Sequence, residues 1–391
     1  MRWYFSMIRS LIDSTFHLSN RIFEGKLRFI PPVIFIAAAK VVGAVFLYQR
    51  LSQALGHFYT PFMAIWGNTG PTCDWIYLFS AQDTSFYVNI ASSGYRYPEY
   101  VFFPAYPALC RAAGIITGDF WFSAFIVSFI FGLGSIPLFQ LVSEHYMSRT
   151  DAAISTLLAM TFPYIFLFTT VSYTESLFLF STLLSWHLYI RERYVPSAFA
   201  VTLATLTKTF GIAIAIPIII GLLSKRKPRN LLPLLLPVLA LLGWMFYLYS
   251  ATGDAIAFST QQQYWDIQLG NKFGWISNYM MPFLDFAFYS AHTIPEFNYL
   301  EAGLIIFVAY LVFNIYRLDV KLGIYSILMF LGLLYFGNFI SFPRYFAFIF
   351  PLWLIVGGKV RNVFLLIVAL GFFIIFSLML WSQFIMAIWV S

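Results

Sequence analysis

The sequence predicts an all-α, polytopic membrane protein, and three observations carry that prediction. Hydrophobic residues make up 61% of the 391 positions, charged residues make up only 10%, and the mean hydropathy is +0.79. A soluble globule needs more charge than this to cover its surface. Apolar runs near the length that crosses a bilayer, about 20 residues, also recur along most of the chain.

Nine apolar runs are interpreted as membrane spans. They cover residues 30–49, 120–142, 152–171, 175–190, 231–250, 300–316, 322–340, 344–358 and 363–388. The stretch 197–223 is too long for one ordinary span and carries a lysine in TLTKTFG at its middle. We therefore predict two short helices that join at TKTFG, which brings the total to eleven crossings.

The distribution of basic residues predicts the orientation in the membrane. With the break at TKTFG, sixteen of the 23 Lys and Arg residues fall on one face, six fall on the other, and Lys40 lies within the first span. The positive-inside rule then places the N-terminus in the cytoplasm and the C-terminus outside. The net charge of +7 follows from this topology. It does not predict a nucleic-acid partner.

The chain divides into a short N-terminal segment and a transmembrane domain. Residues 1–29 are basic and mixed in polarity, so we expect a cytoplasmic amphipathic segment on anionic lipid headgroups rather than a signal peptide. Residues 30–391 form the transmembrane domain, with external loops at about 51–119 and 251–299. Both loops are rich in aromatic and acidic residues, which favours segments that lie along the membrane interface.

Cysteine and histidine patterns give no support for a zinc or nucleotide site. The five histidines are scattered, and the sequence contains no HExxH, CxxC or Walker pattern. Cys73 and Cys110 both fall in the first external loop, where a disulfide is permitted by compartment. Two thiols that merely fill apolar gaps fit this pattern equally well.

The first candidate for chemistry is Asp83, in the stretch AQDTSFYVNIASSGY at 81–95. One interpretation is that Asp83 caps a short helix, TSFYVNIASSG, which ends at Gly94. The other is that the carboxylate is used in a reaction, because an acid that faces a helix bundle is costly unless it is paired or functional. The two roles are compatible, since a capping residue lies at the exposed end of its helix.

Three further charged residues are candidates, each with a structural alternative. Ser172 and Glu175 have the S-x-x-E spacing of a capping box before an apolar run. Lys208 could snorkel from the helix break, and Arg344 could anchor the chain at the interface beside Tyr345. In the predicted topology these charges share the external face with Asp83. Two cations and two carboxylates at one face describe a site for an anionic lipid headgroup and a hydroxylic partner.

Four blocks of the sequence resemble the motifs of PIG-V-type mannosyltransferases, which are membrane enzymes of GT-C architecture that use polyprenyl-phosphate sugars. The blocks are QDTSFYVNIASSGY with YVFFPAYP, FPYIFLFTTVSYTESLFLF, LATLTKTFG, and SFPRYFAFIFPLWL, in the order of the family. Gln82 stands where the family usually has Trp, and Lys208 stands where Arg is usual. Lysine keeps the charge but lacks the bidentate fork for phosphate.

The resemblance implies a GT-C-like bundle of about 10–11 transmembrane helices with an interfacial first external loop. It also implies that Asp83 is the catalytic base. The residues expected to bind substrate are Tyr87, Glu175, Lys208, Arg344 and Tyr345.

These residue types fit the implied reaction. A positioned carboxylate can take the proton of a sugar hydroxyl as it attacks, an effect typically worth about 10²–10⁴-fold. A lipid phosphate leaves as a stable anion, and cations stabilise the charge that develops on it. One base on the face opposite the leaving group implies inversion. The predicted function is transfer of a hexose, with mannose as the expected sugar, from a polyprenyl (dolichyl) phosphate to a hydroxyl of a glycolipid acceptor at the external or lumenal face.

Two alternatives to this function stay open. A broken helix with a charge at its break is also a feature of secondary transporters and lipid flippases, although no internal repeat is found. A GT-C enzyme that glycosylates protein is the other alternative. No cofactor is expected; if a divalent cation takes part, its ligands are Asp74 and Asp83. A prokaryotic cell membrane is favoured over an endoplasmic-reticulum membrane.

Overall fold

The computed structural model describes residues 25, 27–55, 74–265, 299–336, 341–357, 360 and 362–386. The predicted amphipathic segment at 1–29 lies almost wholly outside this part of the chain, as do residues 56–73 of the first external loop, Cys73 among them, and residues 266–298 of the second. All regular elements among the described residues are helices, and the chain divides into two compact units. The all-α prediction is therefore confirmed for the described residues.

The first unit comprises 1–85, 113–183 and 353–389. Its helices are α1 (Ile30–Leu55), a 3₁₀ helix (Asp74–Phe79), α4 (Phe120–Ser143), α5 (Arg149–Thr161), α6 (Pro163–Phe168), the first half of α7 (Glu175–Ile190), α15 (Leu352–Gly357) and α16 (Val363–Ile385). Helix α5 packs against α1, α4 and α16, and α16 also packs against α6. The indole N–H of Trp381 on α16 donates to Leu78 O over 2.6 Å, which fixes the 3₁₀ helix to this core.

The second unit comprises 86–112 and 184–352, with two C-terminal residues. Its α-helices are most of α2 (Thr84–Ser93) and α3 (Ala105–Thr117), the second half of α7, α8 (Tyr194–Thr205), α9 (Ala215–Ser224), α10 (Leu235–Thr252), α11 (Ala257–Thr260), α12 (Tyr299–Leu318), α13 (Val320–Phe336) and α14 (Phe342–Ala347). Its 3₁₀ helices are Glu99–Val101, Thr209–Ile214, Pro228–Leu234 and Gln261–Trp265. Helix α8 packs against α10, and α13 packs against both α9 and α12.

Four helices among the described residues are long and apolar enough to cross a membrane. They are Ile30–Arg50, Phe120–Ser143, Pro228–Thr252 and Val363–Ile385. Shorter apolar helices follow at Tyr194–Thr205, Thr209–Ser224, Gly303–Leu318 and Val320–Leu334. These helices agree with a multi-pass membrane protein, whereas the figure of eleven crossings stays a prediction.

Two predicted spans are each interrupted by a proline. The span 152–171 is divided between α5 and α6, with Pro163 at the start of α6. The span 344–358 is divided between α14 and α15, with Pro351 just before α15. Proline has no N–H to donate within a helix and clashes with the preceding turn, so an apolar run that contains it need not be one helix.

Candidate functional site

Asp83 occupies the position directly before helix α2, as the sequence predicts. The helix begins at Thr84 and ends at Ser93, and Gly94 follows with φ +85° and donates its N–H to Ile90 O over 3.0 Å. Only glycine adopts that left-handed conformation at no steric cost, which makes Gly94 a helix terminator. The bounds predicted for this helix are confirmed, and the Asp83 side chain is half-buried.

The turn that carries Asp83 has an unusual backbone. Gln82 is buried and has φ +51°, a left-handed conformation that a residue with a side chain adopts at a cost. Such a conformation persists only where surrounding contacts impose it. The hydrogen bonds of the next residues supply those contacts.

A distant segment of the chain, residues 172–174, holds this turn in place. The Asp83 backbone N–H donates to the Tyr173 hydroxyl over 3.0 Å, and Thr84 Oγ1 donates to Ser172 O over 3.2 Å. The Ser172 N–H in turn donates to Phe79 O over 2.8 Å. Two hydrogen bonds therefore join the first and second sequence blocks, a third ties the second block to Phe79 just before the first, and the position of Asp83 depends on Tyr173.

Tyr173 is itself fixed from the opposite side by helix α4. Its backbone N–H donates to Ser128 Oγ, and Ser128 Oγ donates to Tyr173 O, each over 3.0 Å. Both residues are fully buried. Tyr173, whose hydroxyl accepts the Asp83 N–H, is therefore held by two buried hydrogen bonds between its backbone and the Ser128 hydroxyl.

The capping box predicted at Ser172 and Glu175 is wrong. Helix α7 begins at Glu175, so the residue before it is Thr174 and not Ser172. The backbone of Ser172 bonds Phe79 and Thr84 instead, and its buried hydroxyl has no partner among the described residues. Thr174 Oγ1 donates to Glu175 Oε2 over 3.3 Å, and the Glu175 side chain is buried. The S-x-x-E spacing is present, but Ser172 lies outside the helix and its backbone is used in hydrogen bonds to distant residues.

Lys208 and Arg344 meet at one aromatic ring in the second unit. Lys208 Nζ lies 5.0 Å and Arg344 Cζ lies 5.3 Å from the centroid of the Tyr345 ring. Arg344 is only 4% exposed, which argues against an anchor at the lipid interface, because an anchor must reach the headgroups. The two cations predicted to bind a lipid phosphate thus flank the same tyrosine.

The helix break at TKTFG places Lys208 beside that ring. Helix α8 ends at Thr205, and a 3₁₀ helix begins at Thr209 with Lys208 in an extended conformation before it. The break predicted from the sequence is confirmed. Gly211 allows it, since a Cβ at that position would lie 2.0 Å from Ala204 O. The Ala105 N–H donates to Leu206 O over 2.8 Å, which ties the break to the FFPAYP block.

Tyr87 lies on α2 but is buried among aromatic rings. Its ring packs edge-on against the rings of Phe102 and Tyr106, with centroid distances of 5.0 and 5.1 Å, and only 3% of the residue is exposed. These contacts give Tyr87 a packing role beside α3. Its contact with a substrate stays a prediction.

The predicted site residues fall into two groups. Asp83 and Glu175 belong to the first unit, whereas Tyr87, Lys208, Arg344 and Tyr345 belong to the second. Each group is assembled from blocks far apart in the sequence. The meeting of all four charges at one substrate stays a prediction.

Sequence reasoning missed three residues that the structure singles out. Tyr173 and Ser128 support Asp83, and Glu99 is a buried carboxylate in the first external loop that accepts the Arg96 N–H over 2.9 Å. Burial raises the pKa of Glu99 above its ordinary value, although hydrogen bonds from the Arg96 backbone and Asn89 oppose the shift. Tyr173 is the tyrosine of SYTES in the block FPYIFLFTTVSYTESLFLF, and its place in that block is the sequence signal that could have indicated a role near the site.

The metal hypothesis gains no ligand set from the described residues. Asp74 begins the 3₁₀ helix Asp74–Phe79, which ends four residues before Asp83. No group of three or more His, Cys, Asp or Glu side chains that could hold a metal occurs within the described part of the chain. Cys110 is fully buried, while its possible partner Cys73 lies outside the described residues.

Comparisons with known proteins return structural likenesses only. No family model and no curated protein matches the chain. It is similar to ArnT from Cupriavidus metallidurans in the apo state, with 16% identity, a TM-score of 0.47, and coverage of 83% of this chain and 58% of that chain. It is also similar to the same protein bound to undecaprenyl phosphate, with 18% identity, a TM-score of 0.47, and coverage of 83% of this chain and 59% of that chain.

A third structure is the Archaeoglobus fulgidus oligosaccharyltransferase in the apo form, with 13% identity, a TM-score of 0.47, and coverage of 91% of this chain and 56% of that chain. These structures are GT-C glycosyltransferases. This chain spans less than two-thirds of the length of each. A likeness of this extent carries no argument about function, which therefore rests on the residues themselves.

Proposed function

We propose that this protein is a membrane glycosyltransferase that moves a hexose, with mannose as the expected sugar, from a polyprenyl phosphate to a hydroxyl of a lipid-linked glycan. The observation that carries the proposal is the turn at Asp83. Its carboxylate is half-buried at a helix start, and its backbone is held by buried groups from the SYTES block. A catalytic base needs such fixed geometry before it needs a tuned pKa.

In the proposed reaction, the acceptor hydroxyl oxygen attacks the anomeric carbon of the donor sugar. A new C–O bond forms, the bond from that carbon to the phosphate oxygen breaks, and the hydroxyl proton passes to the Asp83 carboxylate. The phosphate leaves with the electron pair and needs no proton. A base on the face opposite the leaving group inverts the anomeric configuration.

Lys208 and Arg344 are proposed to bind the donor phosphate. Their arrangement around Tyr345 supports this role, since both cations lie 5.0–5.3 Å from the centroid of one ring, close enough together to contact one anionic group. Positive charge fixed where negative charge develops is often the largest contribution to such catalysis. Glu175, Tyr87 and Tyr345 are proposed to complete the binding of the sugar.

The experiment that tests the proposal is a transfer assay with the purified protein in detergent. Undecaprenyl-phosphate mannose and dolichyl-phosphate mannose are the donors, and extracted membrane lipids are the acceptors. We expect a lipid product whose mass rises by one hexose, and we expect transfer to survive EDTA. Absence of any hexosylated lipid with either donor would contradict the proposal.

A transporter or flippase is the second candidate, and the broken helix at TKTFG is the observation that favours it. Discontinuous helices with a charge at the break are found at transport sites. The detergent assay separates the two, because glycosidic bonds form without a membrane gradient only if the protein is an enzyme. The acceptor class is read from the product mass. A parallel assay with peptide acceptors in place of the lipids would identify a protein glycosyltransferase by a hexosylated peptide.

We propose a multi-pass protein of a prokaryotic cell membrane, with the site at the external face. The division of basic residues between the two faces supports this orientation.

A further inference from the structure

Lys40 lies at the middle of α1, a helix that is long and apolar enough to cross a membrane. The residue is 2% exposed. Its ammonium donates to Phe166 O over 3.2 Å and to Thr169 Oγ1 and Thr170 Oγ1 over 2.8 Å each. Three N–H donors therefore meet three acceptors, and all the acceptors lie in one stretch of chain.

That stretch leads directly to the support of Asp83. Helix α6 ends at Phe168, and residues 169–174 are not helical before α7 begins at Glu175. Carbonyl groups at a helix end lack partners within the helix, and buried ones must find donors elsewhere. Lys40 donates to one such carbonyl, Phe166 O, and to the two threonine hydroxyls at the start of the 169–174 segment. Tyr173, near the end of the segment, accepts the Asp83 N–H.

The segment has little freedom on its other side. A Cβ at Gly132 of α4 would lie 2.2 Å from Thr169 O, so the backbone of the segment touches α4 directly. Ser128, one turn earlier on α4, bonds the Tyr173 backbone. The 169–174 segment is thus held between Lys40 on α1 and two small residues on α4.

An ionisable side chain at membrane depth is costly, and it marks a functional position by default. An apolar side chain could fill the same space without that cost. We propose that Lys40 is a positioning residue: it holds the 169–174 segment in the conformation that presents the Tyr173 hydroxyl to the Asp83 backbone, and so orients the Asp83 carboxylate. This role rests on the proposed function of Asp83 as the base.

The kinetic test uses Lys40→Met, which keeps most of the side-chain length and removes the donors. We expect kcat to fall between about tenfold and the roughly 10²-fold that a 1 Å misplacement can cost. The KM for the polyprenyl-phosphate sugar should stay within about twofold, because only the transition state is affected. Ser377→Ala is the control: Ser377 is a buried polar residue of the same unit that bonds Thr161 O and Phe373 O, away from this segment.

A double-mutant cycle separates positioning from general damage. Tyr173→Phe removes the acceptor of the Asp83 N–H, so Lys40→Met should add little further loss of kcat in that background. If the two fold-losses multiply, Lys40 does not act through Tyr173 and the proposal is overturned. If Lys40→Met does not fold, Thr170→Val makes the same test from the other side of the contact, because it removes one ammonium acceptor with little change of shape.

Hydrogen–deuterium exchange gives a readout that does not need activity. In the Lys40→Met protein, peptides that cover 79–84 and 169–174 should lose protection, while peptides from α16 should exchange as in the wild type. Unchanged exchange at 79–84 would overturn the proposal even if kcat falls. Wild-type protein that transfers no sugar would defeat the proposed function, whereas the exchange pattern would still decide whether Lys40 holds the Asp83 turn.

Discussion

Two roles are proposed for Asp83 at the scale of a single residue, since it directly precedes a helix and lies on a turn held by Tyr173. The helix explains where the residue is. The hydrogen bonds to residues 172 and 173 hold the backbone of the turn on which it lies. A substitution that keeps the cap and removes the base can therefore separate the two roles.

Asp83→Asn is that substitution. An asparagine oxygen can cap a helix as well as an aspartate oxygen, so we expect a loss of folding stability under about 1 kcal/mol. The amide cannot take a proton at neutral pH, so single-turnover transfer should slow by at least about 10²-fold. Donor affinity, measured on the purified variant, should be unchanged.

Two aspartates serve as controls for this prediction. Asp119 caps α4 by accepting the Trp121 and Phe122 N–H groups over 2.8 and 3.0 Å, so Asp119→Asn reports on capping alone. Asp74→Asn tests an acid in the same loop as Asp83. Near-normal transfer by Asp83→Asn would show that the residue is only a cap, and the base would have to be sought at Glu175 or Asp74.

Arg344→Ala tests the donor-phosphate site. A charge-assisted hydrogen bond contributes roughly 1.5–3 kcal/mol, so the donor Kd should rise by at least about tenfold. Arg317, an exposed arginine over the Phe313 ring in the same unit, is the matched control, and Arg317→Ala should leave the Kd unchanged. A loss of thermal stability with an unchanged donor Kd would instead identify Arg344 as a structural residue.

At the scale of elements, the helix break between α8 and α9 positions Lys208. The break depends on the contact of Gly211 with the Ala204 carbonyl, because no larger residue fits there. Its partner in the chain is the start of α3, through Ala105 and Leu206. A change at Gly211 should therefore disturb both structure and donor binding.

Gly211→Ala should destabilise the protein by about 1–3 kcal/mol, the usual cost of overpacking, and should weaken donor binding by displacing Lys208. Gly243→Ala on α10 is the control, because a Cβ there meets nothing within 4 Å and alanine is the better helix former. Thermal unfolding and donor titration of both variants give the comparison. Equal behaviour of the two would mean that the break tolerates a side chain.

The first external loop supplies a pH-dependent prediction. The pKa of Glu99 is raised by burial, so its contribution to stability is full at low pH and declines as pH rises through the folded-state pKa. Glu99→Gln removes the ionisation. Its Tm relative to wild type should therefore be higher at pH 7 than at pH 4.

Glu192 should show the opposite sign. Hydrogen bonds from Lys227 and Lys225 lower its pKa, so its contribution is present at neutral pH and is lost as pH falls through the folded-state pKa. Glu192→Gln should lower the Tm slightly at pH 7, and the effect should fade in acid or high salt because the pair is exposed. The same sign for both variants would contradict this account.

At the scale of the whole molecule, the topology decides which residues can share a face. Lys208 can reach an external donor only if α8 and α9 return the chain to the side on which it entered. The excess of basic residues on one side predicts this arrangement.

Single cysteines at Ser224 and Gln262 test the topology, in a background where Cys73 and Cys110 are replaced. We expect a membrane-impermeant maleimide to label the two positions from opposite sides of sealed vesicles, because one span, α10, separates them. Labelling of both from the same side would remove Lys208 from the proposed site. The doubly replaced background without an added cysteine is the control for unspecific labelling.

The sequence by itself determined the features that depend on local chemistry. Apolar runs predicted the four described helices that are long enough to cross a membrane, the apolar run 175–190 gave the bounds of Glu175–Ile190, and Asp83 with Gly94 delimited α2. The lysine within an overlong apolar stretch predicted the break after Thr205. Such signals lie within a few residues of the structure that they specify.

Only the tertiary structure decided which distant residues meet. In the folded chain the Ser172 carbonyl accepts the Thr84 hydroxyl, and Ser172 does not form the expected capping box. The Tyr173 hydroxyl accepts the Asp83 N–H, and the Lys40 ammonium donates to the hydroxyls of Thr169 and Thr170. These partners are separated by about 90 to 130 positions in the chain. Periodicity and capping rules describe neighbours along a helix, whereas contacts between helices depend on how buried donors and acceptors are matched when the helices pack together.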